Sequence, residues 1–282
     1  MNHVIAFCSP NGATRQVAEV IKTRLRALGD AAVLVDLLAH TDPEQAMASA
    51  MRGPERPRCL WVGSPVYADH MVPPVEKFLK NLPAQDGLGA VPFVTWGGVN
   101  SGVALHEMGT LLTEKGQILL GAAKVLAVHS VMWRSEQPVG AGHPDSNDDA
   151  QVQALVDAIH ATLSSQTLWP LPLAALAYQP PEIRDAASKK SIAAAKAHFP
   201  ALSVTLEQCN QCGLCAEVCP AQAIALDPYP RFGEACFLCL KCVRECPQDA
   251  IPMDLSAAEE RIRTLAAKIG ETPPTCIFVQ GN

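Results

Sequence analysis

Short apolar runs alternate with longer stretches of helical period along the first 165 residues. Residues 3–8, 31–37, 59–63, 91–96 and 118–128 are dense in Val, Ile, Leu and Ala and nearly free of charge, as strands buried on both faces are. Between them, 13–28 sets Val17, Val20, Ile21, Leu25 and Leu28 at helical spacing and stops at Gly29. Residues 72–82 carry Pro73 and Pro74 where a first helical turn tolerates them, and 103–114 and 150–163 repeat the helical pattern. The polar stretch 136–149 reads as the loop ahead of the last helix. Five strands in this alternation predict an α/β, doubly wound parallel sheet of order 2-1-3-4-5. Beyond it, 166–202 is a linker, stiffened by Pro170, Pro172, Pro180 and Pro181, with an Ala/Lys-rich helix over 184–198. That helix is either a spacer or a dock for the next domain. Residues 203–255 form this small second domain, and 256–282 a C-terminal helix (257–269) and an apolar tail. The tail, 276–279, either adds an edge strand or meets a partner.

Composition narrows the class. The 282 residues are 49% hydrophobic, enough for a sizeable core, which excludes a disordered chain. With 22 Lys+Arg against 28 Asp+Glu, the chain has no excess cation to release counterions, so no nucleic acid is expected as a partner. Residues 117–128 and 168–178 are the longest apolar stretches and too short for a membrane span. With no secretory leader at Met1, the expected location is cytoplasmic.

Eight of the eleven cysteines lie between Cys209 and Cys246. Cys209, Cys212, Cys215 and Cys219 follow C-x2-C-x2-C-x3-C-P, and Cys236, Cys239, Cys242 and Cys246 repeat it at an offset of 27 residues. A disulfide framework needs an oxidising compartment, which the absent leader argues against. Two structural zinc sites fit by count, but the x3-C-P ending and the repeat favour iron–sulfur clusters. Three closely spaced thiolates wrap one side of a cubane, and the fourth ligand comes from elsewhere. The double run resembles a small α+β bacterial-type ferredoxin with two [4Fe-4S] clusters. In that fold the last cysteine of each run crosses to the other cluster. The resemblance therefore implies Cys209, Cys212, Cys215 and Cys246 for one cluster, and Cys236, Cys239, Cys242 and Cys219 for the other.

A doubly wound sheet binds ligands beyond the carboxyl ends of its strands. After the first strand come Ser9, Pro10, Asn11, Gly12, Ala13 and Thr14, a small-residue loop opening onto a helix. Its hydroxyls and N–H groups, with the positive helix end, make an anion cradle. It matches neither a Walker loop nor G-x-G-x-x-G, which disfavours ATP and NAD. Pro65, Val66, Tyr67 and Ala68 follow the third strand, and Trp96, Gly97 and Gly98 the fourth, each offering a ring for a planar ligand. A phosphorylated planar ligand, FMN, fits best. These three loops resemble those of a flavodoxin, and the whole chain resembles a bacterial flavodoxin–ferredoxin fusion protein. The resemblance implies that the 9–14 loop holds the FMN phosphate, with 65–67 and 96–98 flanking the isoalloxazine. Asn11-Gly12-Ala13-Thr14 departs from the usual Thr-Gly-Asn-Thr by lacking its asparagine.

The expected role is electron transfer at low potential between two [4Fe-4S] clusters and FMN, to or from a partner redox protein. The alternatives are an FMN-dependent reductase of a quinone, nitro or similar small acceptor, and a redox sensor. After Ser203, 10 acidic residues against 6 basic ones lean towards a basic docking partner. Cys8, Cys59 and Cys276 read as buried hydrophobes. His70 and His129 are read as structural, with proton donation to a flavin as the alternative. Trp133 and Trp169 read as core or hinge packing.

Overall fold

The computed structural model describes residues 1–38, 58–84, 87–165 and 168–280. Its main sheet holds β1 (Asn2–Phe7), β2 (Ala31–Asp36), β3 (Cys59–Tyr67), β4 (His70–Met71), β5 (Gly89–Trp96), β6 (Ile118–Leu119) and β7 (Gly121–Leu126). The long strands run β2-β1-β3-β5-β7, all parallel, which is the flavodoxin-like order 2-1-3-4-5. Successive residues face opposite layers. Ile5 and Phe7 pack under α1 (Ala13–Ala27), while Val4 and Ala6 pack on the other side, where α2 (Pro73–Asn81) and α3 (Ala104–Glu114) lie. Helix α4 (Ser146–Ser164) lies beside α1 and contributes Leu155 and Ile159 to the same layer.

Four boundaries differ from the sequence reading. Strand β3 runs nine residues because Ser64 stays inside the sheet, its hydroxyl accepting from Val72 N–H at 3.1 Å. The fifth strand is broken at Leu120. Gly89 and Ala90 pair with Ile118 and Leu119, but the register has moved by one residue where Phe93 meets Ala123, as an inserted bulge residue requires. Helix α4 starts at Ser146, not 150, because Asp145 and Asp148 form a reciprocal capping box. Asp145→Ala should remove that cap and lower the urea midpoint. The expected single helix over 184–198 is two helices, α5 (Pro181–Ser188) and α6 (Ile192–Lys196). Ser191 breaks it by accepting from Ala194 N–H at 3.1 Å, starting α6 afresh.

The second module has α7 (Leu214–Glu217), the hairpin β8 (Ile224–Leu226) and β9 (Pro230–Phe232), and α8 (Lys241–Arg244). Its backbone repeats as its cysteines do. Gln211 and Leu238, Gly213 and Leu240, and Gln222 and Asp249 are three pairs of positive-φ residues at the cysteine offset. After it, α9 (Ser256–Ile269) leads to β10 (Cys276–Val279), which pairs antiparallel with β7 at the edge of the main sheet. The tail is thus an edge strand. Trp133 joins the second module's apolar cluster, whereas Trp169, read as core or hinge packing, is 62% exposed and so is not core. Among the described residues no helix is long and apolar enough to cross a membrane.

Candidate functional site

The loop after β1 is shaped by Gly12, whose φ of +96° precedes α1 in a conformation side-chain-bearing residues rarely adopt. Ala13 and Thr14 open the helix, so their N–H groups have no carbonyl one turn earlier to bond. The Arg15 N–H donates to Ser9 Oγ at 3.0 Å. Thr14 Oγ1 lies 2.8 Å from Thr95 Oγ1, tying the loop to β5. Asn11 Nδ2 donates to the Tyr67 hydroxyl at 2.7 Å, and Asn11 Oδ1 is buried without a partner. A buried acceptor left free beside unpaired N–H groups at a helix start suits a ligand with both phosphate oxygens and hydroxyls. The residues present fit FMN.

This loop is one wall of a cavity of about 770 Å³. Pro65, Val66, Tyr67 and Ala68 form another wall, with Thr95, Trp96 and Gly97. Two expected residues behave differently. The Trp96 ring is no stacking face: the residue is 2% exposed, Nε1 donates to the Pro274 carbonyl at 2.8 Å, and Lys124 Nζ stands 5.2 Å from the ring centroid. Gly98 turns the chain at φ +77° and is not part of the wall. Tyr67 does line the cavity, and its ring centroid is 5.9 Å from that of Phe237. Burial pushes the Tyr67 hydroxyl far above its usual range. His129 also lines the cavity, held neutral by burial with its pKa lowered to about 4.

Other walls come from distant sequence. Phe237, Leu238 and Arg244 belong to the second module, Lys190 and Phe199 to the linker, and Ile262 and Leu265 to α9. No local pattern marks these residues as cavity walls. Phe237 and Leu238 sit between Cys236 and Cys239, so the cysteine run itself closes the cavity.

The eight cysteines line two small cavities. Cys219, Cys236, Cys239 and Cys242 surround one with Phe237 and Leu240. Cys209, Cys212, Cys215 and Cys246 surround the other with Pro247 and Ile251. Each cavity thus takes three cysteines from one run and the last from the other. Ala223 N–H and Ala250 N–H donate to Cys219 Sγ and Cys246 Sγ, both at 3.3 Å. The first cavity faces inward, with Cys239 in the apolar cluster that holds Cys8 and Phe237. The second faces outward, with Cys212 exposed. Cys8 and Cys59 are fully buried, and burial raises both thiols well above their ordinary range. Cys276 is half-buried in β10 rather than fully interior.

A polar network underlies the rim. Ala68 and Asp69 turn between β3 and β4 at φ 49° and 70°, a non-glycine conformation that costs energy and must be held. Asp69 Oδ2 accepts from Asn100 Nδ2 at 2.9 Å and from Lys190 Nζ, and Asp69 O accepts from Val103 N–H at 2.8 Å. Burial raises the Asp69 carboxyl despite Lys190. Gln179 Nε2 donates to Asn100 Oδ1 at 2.7 Å and to Glu271 Oε2 at 2.9 Å. Glu271 pairs with Lys124, whose side chain is 2% exposed, and accepts from Ser101 N–H at 2.9 Å. The lone lysine in an apolar strand is the sequence's only sign of this network.

His70 Nδ1 lies 2.7 Å from Glu107 Oε1 and its Nε2 3.0 Å from the Lys190 carbonyl, so both nitrogens face acceptors. The Glu107 bond raises its pKa above the ordinary 6.5. A histidine raised on folding stabilises fully below its unfolded pKa, and that gain is lost as pH rises through the folded pKa. The melting temperature of the native chain should therefore exceed that of His70→Gln by more at pH ~6 than at pH ~8.5. An equal gap at both pH values would rule out a charged His70.

Residues 208–251 match the family model described as a 4Fe-4S dicluster domain. No curated protein matches the chain. Among solved structures, the chain is similar to a flavodoxin from the domain Archaea at 16% identity, covering 58% of this chain and 100% of that one, with a TM-score of 0.45. Flavodoxin 2 from Bacillus cereus is 19% identical, over 57% and 99% of the two chains, with a TM-score of 0.43. Rubredoxin oxygen:oxidoreductase from Desulfovibrio gigas is 20% identical over 57% of this chain but only 36% of its own, with a TM-score of 0.45.

Proposed function

With a flavodoxin-like sheet and a dicluster ferredoxin module joined in one chain, we propose an electron carrier that passes low-potential electrons between two [4Fe-4S] clusters and FMN, to or from a partner redox protein. The observation that carries this reading is the placement of Phe237 and Leu238. Phe237 lines the inward cysteine cavity and the cavity of the flavin loops at once, and Leu238 beside it walls the latter. One cluster, on Cys219, Cys236, Cys239 and Cys242, is then proximal to the flavin. The other, on Cys209, Cys212, Cys215 and Cys246, faces solvent where a partner docks.

FMN supplies one- and two-electron redox chemistry when bound, and clusters pass electrons singly. The chain's own residues set the conditions. The loop of Ser9, Asn11, Gly12, Ala13 and Thr14 binds the phosphate, while Pro65, Val66, Tyr67, Ala68 and Gly97 orient the ring. The buried Phe237 excludes water between cluster and cavity. Asp69 Oδ2, bonded to Lys190 Nζ, holds a proton-bearing group at the rim. The direct test is an anaerobic reductive titration followed by visible absorption and EPR. Flavin and two interacting clusters reduced by a one-electron donor support the reading. Folded protein that takes up no flavin overturns it.

A second reading, reduction of a quinone, nitro or similar small acceptor, is favoured by the extent of the cavity. Beyond the flavin loops it continues between α6 and α9, against apolar Phe199, Ile262 and Leu265. Steady turnover of a quinone by the isolated protein supports this reading, and its absence leaves the carrier.

A further inference from the structure

The phosphate loop has no cation of its own to offer. Arg15, in the first turn of α1, pairs with Asp36 and lies 5.1 Å over the Phe7 ring. Lys241 pairs with Glu245 at 3.6 Å. Arg244, from α8 of the cluster module, is different. It has no carboxylate within ion-pair distance among the described residues. Its Nη2 donates to the Ser130 carbonyl at 3.0 Å and its guanidinium lies 4.8 Å over the Trp133 ring, leaving Nε buried with no acceptor. It also lines both the main cavity and an adjoining one of about 460 Å³, and Ser9, Asn11 and Gly12 wall both.

We propose that Arg244 completes the phosphate site, so that the cofactor is held jointly by both modules. This rests on the FMN reading above and deepens it. A phosphate supplies the anion that the half-buried guanidinium lacks and an acceptor for its Nε–H, a charge-assisted bond stronger than a neutral one. The same contact makes phosphate binding favour the docked arrangement of the two modules, by ordinary linkage.

The test compares FMN with riboflavin, which has the ring but no phosphate. Full-length protein with its clusters intact is stripped of flavin and titrated with each, following flavin fluorescence. Arg244→Gln should weaken FMN binding about 10- to 100-fold and riboflavin binding less than about 2-fold, with Arg244→Lys between wild type and Gln. Equal weakening of both ligands makes Arg244 a packing residue and overturns the proposal, as does no change. If wild type binds neither ligand, the FMN reading itself falls. A measurement without substitution guards against misfolding of the variant. Phenylglyoxal modification of Arg244 in wild type should be slowed by FMN and not by riboflavin, and equal protection by both again overturns the proposal.

Discussion

Glu271→Ala is expected to destabilise the protein by about 3–5 kcal/mol, the cost of leaving a buried charge without its partner. Lys124 Nζ has nowhere else to go. Its side chain is 2% exposed, and around it stand the Trp96 and Tyr178 rings, at 5.2 and 5.0 Å from the nitrogen. The truncation also strips acceptors from Ser101 N–H and Gln179 Nε2. Thermal melts under anaerobic conditions should show a fall on the order of 10 °C. Replacing both partners, Lys124→Met with Glu271→Gln, should recover most of that loss, because the burial penalty leaves with the pair. A fall of under about 2 °C for Glu271→Ala would mean that water reaches Lys124 once the carboxylate is gone.

The largest functional effect is expected from cysteines that act across the repeat. Cys219→Ser should remove the cluster of the second run, although Cys219 belongs to the first, and the protein should lose about half its iron and acid-labile sulfide. On the proposed arrangement the lost cluster is the proximal one, so flavin reduction through the clusters should then fail. Cys246→Ser should lose the same share of iron from the outward site and leave the inward one. Paired substitutions check the crossing. Cys219→Ser with Cys239→Ser should lose no more iron than either alone, whereas Cys219→Ser with Cys212→Ser should lose nearly all of it. The reverse pattern would mean that each run keeps its own fourth ligand.

The parts of this fold that are readable in the chain are those where one local rule decides the outcome. Parallel strands buried on both faces, such as β1 and β5, must be continuous apolar runs, so their order and place follow from the pattern. The crossing of the cysteines comes with the resemblance to dicluster ferredoxins, which the spacing of the two runs carries. Where two rules compete, the pattern misleads. The start of α4 is hidden because Asp145 and Asp148 look like loop residues until they are seen to cap. The linker pattern from Arg184 to His198 suits a helix, but the Ser191 side chain offers the backbone an alternative. Trp96, an aromatic at a strand end, suits a stacking role, but its N–H is satisfied by Pro274, 178 residues away. Contacts at that separation have no local signal. The same holds for Arg244, whose sequence neighbours are cluster cysteines and whose spatial neighbours are flavin loops.

Strand β10 changes what kind of chain this is. Because the last strand returns to β7, the cluster module is inserted into the α/β domain rather than appended to it, and the chain leaves and re-enters the sheet. A module held at both ends has far fewer ways to swing away than one on a single leash, so its effective concentration at the flavin edge is high without a tight interface. On the proposed role, exchange of electrons within one molecule would then not depend on how much protein is present. Grafting a different ferredoxin into this host calls for two junctions rather than one, with the second close to where β10 meets the sheet.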